Sequence, residues 1–171
     1  MLSFIICEIM IYLWETTLRY IFLIFLILFG FSSKGYTDII KFNQLIIEDP
    51  WIKESPSNHP VTGGYLTIRN LGKTEDILIN VSADFAMKSE IHEMKMEGDV
   101  MKMRSLENGL IIPAGGEIHL KPGGYHLMFI RLKQKMTAMD VHKITLTFKN
   151  SGSIIIPIPV YKMKHKKKHN H

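Results

Sequence analysis

Short runs of apolar residues, many alternating with polar ones, follow one another along the chain from about residue 45, separated by glycine and proline. Alternation with a period of two is the signature of a β-strand with one buried face. The pattern predicts strands at Leu45–Ile47, Asp49–Ile52, Tyr65–Arg69, Asp76–Val81, Leu110–Ile112, Glu117–Leu120, Tyr125–Leu132, Ile144–Phe148 and Ile154–Val160. Many short strands with regular turns predict an all-β sandwich or barrel in a single domain.

Three local features refine this prediction. Pro50 interrupts the second strand segment, which predicts an edge position or a β-bulge there. An antiparallel hairpin is predicted from two strand segments that flank a short turn, Tyr65–Arg69 and Asp76–Val81. The last two strands predict a second hairpin across Asn150, Ser151 and Gly152.

The N-terminus predicts a targeting segment. Tyr20–Phe31 is an unbroken apolar or glycine run, short for a membrane span, with Arg19 before it and small residues after it. We therefore expect a signal peptide within residues 1–35, export from the cytoplasm, and a mature domain over residues 36–161. A second apolar stretch precedes this run and suggests a translation start further along the chain, for example at Met10. The alternative is an uncleaved membrane anchor.

Charge and cysteine usage narrow the functional classes. The formal net charge is +5, but five lysines within residues 162–171 account for it, so the rest of the chain is formally neutral. A nucleic-acid surface would need basic residues gathered on the folded domain, and none is predicted. The only cysteine, Cys7, precedes the apolar run. The mature domain therefore has no disulfide, no lipid-attachment cysteine and no thiolate for a blue-copper site.

One short pattern of possible soft-metal ligands occurs three times: two ligand residues with one spacer between them. The pairs are His92 and Met94, Met101 and Met103, and His126 and Met128. Residues i and i+2 of a strand lie on the same face. Between the first two pairs, Gly98-Asp99 is suited to a two-residue hairpin loop.

The hairpin loop fixes a register. It pairs Glu97 with Val100, Met96 with Met101, Lys95 with Lys102 and Met94 with Met103. One face then carries His92, Met94, Met96, Met101 and Met103, and the opposite face carries Glu93, Lys95, Glu97, Lys102 and Arg104. Glu93 and Glu97 are thereby predicted to be solvated charges rather than catalytic carboxylates.

The donor set favours monovalent copper. Thioether sulfur is neutral and polarisable and suits Cu(I), whereas Zn²⁺, Mg²⁺ and Ca²⁺ prefer other ligands; imidazole binds copper in either oxidation state. The alternative is that Met94, Met96 and Met101 are core or lining residues of a half-buried strand.

The residues around these pairs resemble the periplasmic copper chaperones of the PCuAC type. The resemblance rests on two motifs. The first is His92 followed after ten residues by Met103, and the second is His126-Leu127-Met128 within an intact Pro122–Met128 segment. The resemblance covers Asp38–Tyr161. Twenty-two residues separate Met103 from His126, one more than the family pattern, and the extra residue most simply enlarges the loop between Ser105 and Gly116.

The resemblance implies a cupredoxin-like or immunoglobulin-like sandwich. It also implies Cu(I) ligation by His92, Met103, His126 and Met128, and delivery to the copper A site of cytochrome c oxidase, with a Sco-type thiol protein as a further partner. No enzyme motif is visible, since the mature domain lacks a cysteine nucleophile, a phosphate-binding glycine loop and a His-Glu-x-x-His helix. The alternative function is an exported solute-binding or structural β-sandwich whose methionines are core.

The remaining histidines are interpreted separately. His59, His119 and His142 have no partner motif and are predicted to be exposed or satisfied within the fold. The tail, residues 162–171, is predicted to be disordered. Its histidines predict loose Cu(II) binding, with a plain polybasic tail that touches anionic lipid as the alternative. Membrane contact is otherwise expected only through the N-terminal segment, if it is not cleaved.

Overall fold

The computed structural model describes Trp14, Arg19 and residues 38–55 and 59–162. The chain divides into an N-terminal unit, residues 1–36, and a second unit, residues 37–171. Trp14 and Arg19 are helical. The rest of the predicted targeting segment and the tail after Lys162 lie outside the described residues. Within the described part of the chain, no helix has the length and apolar character needed to span a membrane.

The described residues of the second unit form an all-β domain, as predicted. Its strands are β1 (Ile39–Phe42), β2 (Leu45–Lys53), β3 (Val61–Asn70), β4 (Asp76–Ser82), β5 (Ala86–Glu97), β6 (Val100–Ser105), β7 (Leu110–Ile112), β8 (Glu117–Leu120), β9 (His126–Leu132), β10 (Val141–Phe148) and β11 (Gly152–Tyr161).

The strands are hydrogen-bonded in the order β6-β5-β9-β3-β2-β11-β10-β4-β7, with β1 also on β2 and β8 also on β3. All these strand pairs are antiparallel except β2 with β11, which run parallel through Ile52 and Val160. The buried core cluster draws apolar side chains from both halves of this path, for example Ile68 of β3 and Leu146 of β10. The predicted sandwich is confirmed, and β11 links its two halves.

The break in β2 is a bulge, as predicted from Pro50. Asp49 has a φ of 50°, and the register between β2 and β3 shifts between Glu48 and Trp51. Before the break β2 pairs with β1, and after it with β11. Proline cannot donate a ladder hydrogen bond, so the regular pairing of β2 is interrupted at Pro50. The bulge lies where β2 changes from one neighbouring strand to another.

The predicted hairpin between Tyr65–Arg69 and Asp76–Val81 is wrong. β3 pairs with β2, β8 and β9, whereas β4 pairs with β10 and β7. The buried Asn70 fixes the connection: its side chain donates to the carbonyls of Thr74 and Ile112 and accepts from the amide of Gly72. The loop therefore leads the chain to the other half of the strand order instead of reversing it in place. The second predicted hairpin, between β10 and β11 across Ser151, is confirmed.

Candidate metal centre

The hairpin of β5 and β6 has the predicted register. Met94 lies opposite Met103, Met96 opposite Met101, and Glu97 opposite Val100. Gly98, the first residue of the turn, has a φ of 61°, a conformation that glycine adopts without strain. The short loop therefore sets which methionines share a face.

The charged residues lie on the opposite face of this hairpin, as predicted. The carboxylate of Glu97 accepts a hydrogen bond from Lys102 at 2.8 Å and another from Arg104. These contacts lie on the face opposite the methionine side chains, so the methionine face carries no formal charge where β5 pairs with β6.

A second pairing completes the arrangement. β9 lies against β5 and places His126 directly opposite His92. The two rings are 5.7 Å apart between centroids, in an edge-to-face arrangement. Met128 follows two residues later on the same face of β9. The four residues that the resemblance implies as ligands thus share one face of three adjacent strands, β6, β5 and β9, which we call the outer face.

A surface cavity of about 380 Å³ opens on the outer face. Its lining includes Met94, Met103, His126 and Met128. His92 adjoins this group through its ring contact with His126. Tyr65, from β3, lines the same cavity and stacks on Trp51 with ring centroids 4.4 Å apart. The cavity is therefore bounded by soft sulfur, imidazole and aromatic groups, together with the charged side chains of Lys53 and Glu54.

Exposure argues against a core role for most of these methionines. Met103, Met101 and Met96 are 45%, 52% and 54% exposed. A core or lining role is therefore wrong for Met96 and Met101, which are exposed and outside the cavity. Met94 is partly buried and lines the cavity, in agreement with the lining prediction.

Hydrogen bonds define the available nitrogen of His126. Nδ1 donates to the carbonyl of Gly124 at 3.0 Å when the ring is neutral, which leaves the lone pair on Nε2. Burial lowers the pKa of His126, the Gly124 carbonyl opposes this effect, and the neighbouring His92 adds to the lowering. A neutral imidazole is the form that binds a metal ion.

Two residues near the site were missed by reasoning from the sequence. Glu90 lies two residues before His92 on the same face of β5, with Oε2 3.0 Å from Nε2 of His92. The strand period could have indicated Glu90. His59 is exposed, in agreement with the prediction that it is exposed or satisfied within the fold, but it also lines the cavity, and no local pattern links it to the hairpin.

The other singled-out side chains lie elsewhere. His119 is exposed, with contacts to Thr67 at 3.1 Å and Glu117 at 3.1 Å. His142 packs against Phe85 with ring centroids 5.1 Å apart. Within the described residues, no group of three or more His, Cys, Asp or Glu side chains is arranged to hold a metal ion. The soft donors that the outer face offers are two imidazoles and several thioethers, beside the carboxylate of Glu90.

Comparison with known protein families identifies the family of this chain. Residues 45–160 match the family model LpqE-like, described as "Putative lipoprotein LpqE-like". The chain belongs to the LpqE-like family. Relatives include "Putative lipoprotein Lxx21020" of Leifsonia xyli subsp. xyli, 27% identical over 67% of this chain and 68% of that protein. The "Uncharacterized protein RP573" of Rickettsia prowazekii is 28% identical over 56% of this chain and 53% of its own length.

Solved structures share the fold of this family member. An apo PCuAC domain from PmoF1 has a TM-score of 0.63 at 21% identity, covering 73% of this chain and 99% of that domain. A copper-bound PCuAC domain from PmoF2 has a TM-score of 0.62 at 18% identity, covering 73% and 98%. The Cu(I) form of DR1885 from Deinococcus radiodurans has a TM-score of 0.57 at 20% identity, covering 78% and 87%. The predicted PCuAC resemblance is confirmed as a shared fold.

Proposed function

We propose that this chain is an exported, non-enzymatic copper carrier that holds Cu(I) through His92, Met103, His126 and Met128. The observation that carries the proposal is the register of β6, β5 and β9, which gathers these four side chains on one face beside an open cavity. Two of the solved structures with this fold contain copper, one of them Cu(I).

The donor chemistry supports this metal. Two neutral imidazoles and two thioethers form a soft, uncharged ligand set, which suits Cu(I) better than a hard divalent ion. Met103 is 45% exposed, so one ligand lies at the surface, where an acceptor could replace it by ligand exchange. Because thioether ligands carry no proton, their release needs no proton transfer. The same ligand set gives O₂ chemistry little support, in keeping with a carrier.

Delivery is proposed by resemblance to the PCuAC chaperones. The acceptor would be the copper A site of cytochrome c oxidase, with a Sco-type thiol protein as a further partner, in the periplasm. The lipoprotein names within the family are consistent with export. Lipid attachment is not part of the proposal, since Cys7 is the only cysteine.

A titration with Cu(I) under anaerobic conditions tests the site. Wild-type protein should bind one Cu(I), and X-ray absorption should show both sulfur and nitrogen neighbours. Met103→Leu and Met128→Leu nearly conserve volume, so each should weaken Cu(I) binding while changing the free energy of unfolding by less than about 1.5 kcal/mol. Met101→Leu is the matched control, because Met101 lies on the same face of β6 outside the cavity. Equal affinity in all four proteins would contradict the proposed ligand set.

The Lys/His-rich tail is proposed as a separate, weak Cu(II) site. Replacing His165, His169 and His171 by alanine in the full chain should lower the Cu(II) stoichiometry without changing Cu(I) binding. An unchanged Cu(II) stoichiometry would leave the tail as a polybasic segment only.

A further inference from the structure

Glu90 lies next to two of the proposed copper ligands, one on its own strand and one on the neighbouring strand. It lies on β5 two residues before His92 and directly opposite Met128 of β9. Its side chain is only 20% exposed. Oε2 contacts Nε2 of His92 at 3.0 Å, and Oε1 contacts Nζ of Lys88 at 2.6 Å. Both carboxylate oxygens are therefore engaged.

These contacts define where the proton of His92 lies. An ionised carboxylate only accepts hydrogen bonds, so the neutral ring of His92 must carry its proton on Nε2 and donate it to Glu90. The lone pair then lies on Nδ1. That atom is buried and has no hydrogen-bond partner in the structure. An unsatisfied buried acceptor is unfavourable, and a bound ligand at Nδ1 would offset that cost.

The neighbouring ring has the opposite arrangement. His126 donates from Nδ1 to the carbonyl of Gly124, so its lone pair lies on Nε2. Two adjacent imidazoles thus present different nitrogens, and a different partner fixes each one. The group that fixes the tautomer of His126 is a main-chain carbonyl, which no substitution removes. The group that fixes the tautomer of His92 is the side-chain carboxylate of Glu90, which a single substitution removes.

We propose that Glu90 is a positioning residue that fixes the Nε2-protonated tautomer of His92, so that His92 binds Cu(I) through Nδ1 while His126 binds through Nε2. This inference rests on the proposed function. Glu90 is not itself a ligand: its oxygens are hard donors held by Lys88 and His92, and Cu(I) prefers sulfur and nitrogen. Carboxylates that orient a ligating histidine commonly change metal affinity by about 10–100-fold.

Nuclear magnetic resonance of ¹⁵N-histidine-labelled full-length protein tests the proposal. In the apo protein, two-bond correlations should show His92 protonated on Nε2 and His126 protonated on Nδ1. Addition of Cu(I) should shift Nδ1 of His92 and Nε2 of His126. Glu90→Gln and Glu90→Ala should leave the fold intact, mix the two tautomers of His92 and weaken Cu(I) binding about 10–100-fold. A glutamine side chain offers both a donor and an acceptor, so it cannot select one tautomer.

Glu93→Gln is the matched control. Glu93 lies on the same strand but on the opposite face, so this variant should keep the wild-type His92 tautomer and the wild-type affinity. A Cu(I)-induced shift at Nε2 of His92, or wild-type tautomer and affinity in both Glu90 variants, would overturn the proposal. If Cu(I) shifts neither histidine in the wild-type protein, the proposed function fails as well. Tautomer mixing in the Glu90 variants together with undiminished Cu(I) affinity would overturn the positioning role alone.

Discussion

On the inner face of strands β5 and β9, Ile91, Leu127 and Phe129 are at most 5% exposed and belong to the hydrophobic core. On the outer face, alternate residues of the same two strands include His92, which contacts His126 across the strand pair. The inner face stabilises the sandwich, and the outer face presents donors to a solvent-open cavity. The comparison shows how a period of two lets one pair of strands separate stability from binding.

The two faces should therefore respond differently to substitution. Inner-face changes should lower the free energy of unfolding, whereas outer-face changes should alter copper binding at nearly constant stability. The four predictions below test this separation.

Phe129→Ala should give the largest effect. Phe129 is 0% exposed and packs against Phe85 with ring centroids 5.0 Å apart. Removing a fully buried aromatic ring leaves a cavity, so the free energy of unfolding should fall by about 3–5 kcal/mol in urea denaturation. Met128→Leu, the adjacent residue on the outer face, is the control and should change it by less than about 1.5 kcal/mol. Similar losses in the two variants would break the separation between faces.

Met94→Leu should weaken Cu(I) binding by about tenfold, which corresponds to about 1.4 kcal/mol. Met94 lies directly opposite Met103 and lines the cavity, so we expect its side chain to support the position of the Met103 sulfur. Met96→Leu is the control on the same face of β5, outside the cavity. Competition with a Cu(I) chelator measures both affinities, and X-ray absorption counts the sulfur neighbours. Equal affinities for the two variants would show that Met94 does not support the site.

Gly98→Ala should lower the free energy of unfolding by about 1 kcal/mol, since an alanine is strained at a φ of 61°. An added Cβ would meet no atom within 4 Å, so the strain would be confined to the backbone of the turn. Amide hydrogen exchange should show faster opening of β5 and β6 near the turn, with β9 unchanged. Equal acceleration in β9 would mean that the hairpin and the core open together.

The pH dependence of the apo protein should give the smallest effect, because a single proton is involved. Burial lowers the pKa of His126, the Gly124 carbonyl acts against this, and His92 reinforces the lowering. As pH falls below the ordinary histidine value of about 6.5, the unfolded chain takes up this proton before the folded protein does. The free energy of unfolding should therefore fall as pH decreases toward the lowered pKa of His126. Urea denaturation between pH 7.5 and 5.5 should show a shallower slope in His126→Gln, and identical slopes would contradict the buried neutral imidazole.

The sequence by itself determined the local part of this protein. The register of β5 with β6 followed from a two-residue loop at Gly98-Asp99 and a period of two, because both act over a few neighbouring residues. The bulge at Pro50 and the hairpin of β10 with β11 followed from the same local chemistry.

Only the tertiary structure decided which distant strands are neighbours. The predicted hairpin of β3 with β4 failed because the contacts of Asn70 redirect the chain after β3. The pairing of β5 with β9, which joins His92 to His126, depends on burying Ile91 and Leu127 in one core. Such long-range pairing is selected by the packing of the whole domain, so no local pattern could have specified which strand lies beside His92.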